Sequence, residues 1–133
     1  MDTITTAANV GEHLDTLGIR HLAEWDVLYF IYHHGANLAG ADRIASLLGY
    51  SSLTVGAALD LLTSEGLVKR SRNSRSVRLY QFAITVRDGS RQRALEQLME
   101  LTETRPGRLL IIRSLLQSAA PKERRARSGL HLA

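Results

Sequence analysis

Residues 41–76 read ADRIASLLGYSSLTVGAALDLLTSEGLVKRSRNSRS, and three changes of pattern within them decide the architecture. Ala41, Ile44, Ala45 and Leu48 recur at three- and four-residue steps, which predicts a short helix over 40–48, with Asp42 placed near its start where the helix dipole favours a carboxylate. Gly49 ends it. Tyr50, Ser51 and Ser52 form a brief polar connection, and either serine can cap the next helix by accepting a hydrogen bond from its free amides. Val55, Ala58, Leu59 and Leu62 then form the inward stripe of a second helix running to Ser64, and Gly66 supplies a left-handed stop. Beyond Gly66 the period shortens: Leu67 to Arg72 and Ser76 to Phe82 alternate on either side of a polar tip at Asn73 and Ser74, the pattern of a β-hairpin.

The flanks are helical. Upstream, Leu22, Trp25, Leu28, Tyr29 and Tyr32 share one face of a helix over 23–34, thickened by Val27, Phe30 and Ile31 and stopped at Gly35. Before it, Ala7, Val10, Leu14 and Leu17 predict a helix over 4–17 despite Gly11. Downstream, Asp88, Gly89 and Ser90 break the alternation, and Ala94, Leu95, Leu98, Met99 and Thr102 mark a further helix. Thr104 and Pro106 look like the cap and first turn of a last helix, which is apolar at nearly every position from Leu109 to Leu116. Such a helix needs cover on more than one side, and a partner subunit is the simplest source. The fold class is therefore mainly α with a small β-hairpin. The expected organisation is a helical extension over 1–20, a central domain over 21–86, helices over 87–120 that support dimerisation, and a basic, disordered tail over 121–133.

The chain has 133 residues and no cysteine, which excludes disulfide scaffolds, thiolate nucleophiles and Cys-containing zinc sites. No apolar run approaches the roughly 20 residues that a membrane span needs, and a cytoplasmic location is expected. The net charge of +4 hides a division. Residues 1–65 hold Arg20 and Arg43 against eight acidic side chains, a balance of −6, so the remainder carries +10. Fifteen of the 17 basic residues are Arg, whose planar donor fork suits phosphate. Between Lys69 and Arg93 eight basic side chains face Asp88 alone, a density suited to a polyanion.

The stretches AEWDVLYFIYHHG (23–35) and 41–76 together resemble the MarR-type winged helix-turn-helix regulators of bacteria. The resemblance covers about residues 20–84. It implies that 23–34 is the scaffold helix, Ile44 to Leu48 lies in the supporting helix, Ser52 to Ser64 in the recognition helix, and EGLVKR leads into the wing. It further implies a homodimer that binds double-stranded DNA and regulates transcription; from the residues themselves neither cofactor nor metal is expected. Ser51, Ser52, Thr54 and Ala57 would then face DNA from the recognition helix. Lys69, Arg70, Arg72, Asn73, Arg75 and Arg78 would do so from the wing, with Arg87, Arg91 and Arg93 as auxiliary positive charge.

The recognition helix itself holds no basic residue, and its outward positions are Leu53, Thr54, Gly56, Ala57 and Leu61. Ser51, Ser52 and Thr54 can hydrogen-bond phosphates or bases, and Leu53 or Ala57 can touch a thymine methyl. None makes the bidentate contacts that discriminate bases most strongly, so sequence reading is expected to be weak or to come from the wing and DNA shape. The alternative is an adaptor in which Leu53, Ala57 and Leu61 form an apolar strip against another protein. His33 and His34 are adjacent and point about 100° apart on a helix, which does not make a metal pair. Asp26 and Asp60 read as helix-surface charges, and no phosphate loop or nucleophile motif suggests an enzyme. Trp25, Tyr29, Phe30 and Tyr32 read as core or subunit contact, with a small-effector pocket as the other option.

Overall fold

The computed structural model describes residues 7–34, 39–72, 77–83 and 89–117. Gly35, the hairpin tip with Asn73, Ser74, Arg75 and Ser76, Arg87, Asp88 and the basic tail lie outside the described residues, as does any part of the first helix before Ala7. The elements are α1 (Ala7–Leu17), α2 (Leu22–His33), α3 (Ala41–Leu48), α4 (Ser52–Ser64), β1 (Val68–Arg72), β2 (Arg78–Phe82) and α5 (Gly89–Leu101), followed by α6 over residues 105–117. This is the mainly helical chain with one antiparallel hairpin that the pattern of 41–76 predicts.

The chain forms two compact units, Ala23–Gly89 and a second that joins Met1–Leu22 to Ser90–Ala133. In the first, Trp25, Val27, Leu28 and Ile31 of α2 are buried, as are Ile44 and Ala45 of α3, Val55, Ala58, Leu59 and Leu62 of α4, and Leu67, Val68 and Tyr80. Gly49 at φ 80° and Gly66 at φ 78° close α3 and α4 in the left-handed region that a side chain disfavours. β1 pairs with β2 from Val68 opposite Phe82 to Arg72 opposite Arg78. The sequence pattern missed one connection: Ala39 exchanges both backbone hydrogen bonds with Tyr80, at 3.3 and 2.9 Å, and so bridges β2 before α3 begins. A single bridging residue has no alternation to betray it.

Two local expectations shift. The buried side of α2 does not include Tyr32, which is exposed and sets its ring edge-on to Phe82 of β2, centroids 5.0 Å apart. Gly89 and Ser90, expected as breakers, are the first residues of α5, where the amides need no partner within the helix.

In the second unit Val10, Leu14, Leu17 and Ile19 are buried, with Ala94, Leu95, Leu98 and Met99 of α5 and Ile111 and Leu115 of α6. Thr104 caps α6 by accepting from the Gly107 amide at 3.1 Å. Arg91, expected to add free positive charge, is half-buried and donates to the Leu17 carbonyl at 3.3 Å. A cation there meets the negative end of α1. On α6, Leu109 and Leu116 stay 42% and 54% exposed, seven residues apart on one side of the helix.

Candidate nucleic-acid interface

Between α3 and α4 the chain turns through 116°. Two helices crossing near 90–120° over a turn of a few residues define a helix-turn-helix, in which the first helix braces the second and leaves its outer face open. The brace is apolar, made by the buried residues of α3 and α4 already named. The turn is fixed by polar groups. Ser51 caps α4, its Oγ accepting from the Thr54 amide at 3.1 Å and donating to Thr54 Oγ1 at 2.9 Å. Ser52 Oγ donates to Asp42 Oδ1 at 2.8 Å, linking the first turns of both helices. Of the two serines weighed for the cap, Ser51 holds it.

Tyr50 anchors the same turn from behind, donating its hydroxyl to Oδ2 of Asp26 on α2 at 2.5 Å. Asp26 is thus no plain surface charge. Burial raises its carboxyl pKa above the ordinary value, opposed by the hydrogen bond from Tyr50. Burial, with the bond to Asp26 and its charge, pushes the Tyr50 phenol up to about 12.

On the open face of α4, Leu53 is 86% exposed, and Thr54, Ala57 and Asp60 are exposed beside it. Leu61 is half-buried, so it does not complete the apolar strip expected with Leu53 and Ala57. Leu47 of α3 adds a further exposed leucine.

The hairpin divides its cations between two faces. Directly opposed residues share a face, so Val68, Arg70 and Arg72 stand with Phe82, Tyr80 and Arg78, while Lys69 and Ser71 stand with Gln81 and Leu79. The Arg70 guanidinium reaches Asp60 of α4 at 3.7 Å, so its face turns toward α4. Arg72 and Arg78 are exposed and directly opposite one another, and Lys69 is exposed on the other face. A groove of about 370 Å³ runs between α4 and β2, bordered by Gly40, Gly56, Asp60, Val77 and Arg78. The structure therefore brings Arg70, Arg72 and Arg78 to the α4 side and leaves Lys69 apart. Asn73 and Arg75 are outside the described residues.

A point mutant of MepR from S. aureus, a MarR-family regulator, in a structure bound to an oligodeoxyribonucleotide, aligns with 93% of this chain and 83% of its own at a TM-score of 0.55 and 16% sequence identity. The fold is the MarR-type winged helix. No family model and no curated protein sequence matches the chain. In that fold α2 takes the place of the scaffold helix, α3 that of the supporting helix, α4 that of the second helix of the helix-turn-helix, and β1–β2 that of the wing. Among the described residues no group of three His, Asp or Glu side chains could hold a metal ion, and no single helix is long and apolar enough to cross a membrane.

Proposed function

We propose that the chain is a transcriptional regulator that binds double-stranded DNA as a homodimer. In this reading residues 21–86 engage the duplex, while 1–20 and 87–120 join two subunits. The carrying observation is an open α4, held at 116° to its brace, beside a wing face that bears Arg70, Arg72 and Arg78. A major groove about 12 Å wide admits one helix, and Arg forks on an adjoining ribbon suit the phosphates or the narrow groove alongside it. The likeness to a MepR chain bound to an oligodeoxyribonucleotide supports the same reading. Dimerisation rests on Leu109 and Leu116, apolar and uncovered on α6. Twofold symmetry would set two recognition helices about 34 Å apart on successive turns of the groove.

Titrating labelled duplex at several salt concentrations tests the proposal, because each phosphate contact contributes about 0.9 to the log-log slope. Salt-dependent binding is expected. Its absence at low salt favours the second reading, an adaptor that meets another protein through Leu47 and Leu53, the exposed leucines of the helix-turn-helix.

A further inference from the structure

The open face of α4 carries no cation and sets the apolar side chains of Leu53 and Ala57 among the short polar groups of Ser52, Thr54 and Asp60. The first turns of a recognition helix supply the side chains that reach base edges. On those turns, the Ser51 hydroxyl proton is committed to Thr54 and the Ser52 hydroxyl proton to Asp42, while Thr54 Oγ1 accepts from Ser51 and keeps its own proton to donate. Asp60, one turn past Ala57, is engaged by Arg70. Beside the Thr54 hydroxyl projects Leu53, 86% exposed on the first turn, with the Ala57 methyl exposed one turn on. The inward stripe of α4 is complete without Leu53, so its side chain is open to a partner.

In the major groove the one apolar feature of the base pairs is the C5-methyl of thymine. Resting on the DNA-binding proposal above, the geometry points to Leu53 as a specificity-determining residue that packs on thymine C5-methyl groups, assisted by Ala57. Sequence preference is then apolar and favours thymine-bearing tracts, while the cations of the wing supply an attraction that is the same for every sequence. The division of labour matches the side chains available: charge on the ribbon, methyls on the helix.

The probes are alternating dA-dT and alternating dA-dU duplexes of equal length, which carry the same phosphate charge and differ by the C5-methyl alone. A second pair is a mixed-sequence duplex with cytosine or with 5-methylcytosine throughout, which restores the methyl without the thymine hydrogen-bonding edge. The ratio of affinities within each pair is read at one salt concentration. For the wild type the methylated member should bind more tightly, by about fourfold for each methyl covered. Leu53→Ala should bring both ratios close to one; as only ratios are read, a general loss of affinity in the variant does not disturb the comparison. Binding that is salt-dependent but equal within each pair overturns the inference and leaves DNA binding standing. A preference that survives undiminished in Leu53→Ala shows that the methyl is not read by Leu53 and also overturns it. No binding to any duplex overturns both proposals and points to a protein surface as the occupant of Leu53.

Discussion

The Tyr50 hydroxyl and the Asp26 carboxylate, 24 positions apart in sequence and 2.5 Å apart in space, fasten the turn before α4 to the scaffold helix. Tyr50 is the residue immediately before the Ser51 cap, so this bond ties the start of α4 to α2. Removing it with Tyr50→Phe leaves a half-buried carboxylate without its donor and should cost about 1–2 kcal/mol of stability in urea unfolding.

The pH dependence of that stability has a defined sign. Asp26 holds its proton more tightly folded than unfolded, so its contribution falls as pH rises through a window that opens at 3.8. Tyr50 does the same on the alkaline side: its contribution is complete below pH 10.0 and is lost as pH rises toward about 12. The difference between wild-type and Tyr50→Phe unfolding curves should therefore shrink across the alkaline window. A difference that stays constant there would show that Tyr50 ionises alike in both states.

Asp60 sets a carboxylate 3.7 Å from Arg70 on the wing. The Arg70 and Asp60 side chains are 40% and 69% exposed, so Asp60→Asn should change stability by less than about 1 kcal/mol. It should also release Arg70 for phosphate, tightening binding to bulk duplex DNA at low salt and steepening the log-log salt slope by about 0.9. An unchanged slope would show that Arg70 takes no part in phosphate contact.

Gly56 and Gly107 are expected to respond oppositely to the same methyl. A Cβ at Gly56, in the interior of α4 and bordering the groove, meets nothing within 4 Å, so Gly56→Ala should stabilise the helix by about 0.5–1 kcal/mol. At Gly107 a Cβ would run into the backbone carbonyl of Leu101 at the end of α5, and Gly107→Ala should destabilise by about 1–3 kcal/mol or more. Thermal unfolding of the two variants reads both signs.

Leu109 and Leu116 test the proposed subunit contact. As both are already solvent-facing within one chain, Leu109→Glu with Leu116→Glu should leave helix content intact while light scattering reports a monomer. A dimer that persists would place the contact elsewhere.

The helix-turn-helix and its hairpin were legible because each signal is local. Gly49 and Gly66 close helices by backbone conformation, Ser51 caps by reaching three residues ahead, and the stripe of Val55, Ala58, Leu59 and Leu62 states which side of α4 faces inward. Polar partnerships were not legible. Asp26 with Tyr50, Ser52 with Asp42, Arg70 with Asp60 and Arg91 with the Leu17 carbonyl all join residues that no periodicity relates. Hence candidate DNA-facing residues could be assigned to elements from the sequence, while the engagement of Ser51 and Ser52 and the separation of Lys69 from Arg70, Arg72 and Arg78 required the three-dimensional arrangement.

Arg72 and Arg78 confront each other across the last described rung of the ribbon, where like charges oppose strand pairing. The ribbon is for that reason an ionic-strength gauge: dissolved electrolyte, by shielding the two guanidinium groups, should slow amide exchange along β1 and β2 in the free protein. The same electrolyte weakens attachment to a polyanion. Firmness of the ribbon and grip on nucleic acid should consequently move in opposite directions as salt is added.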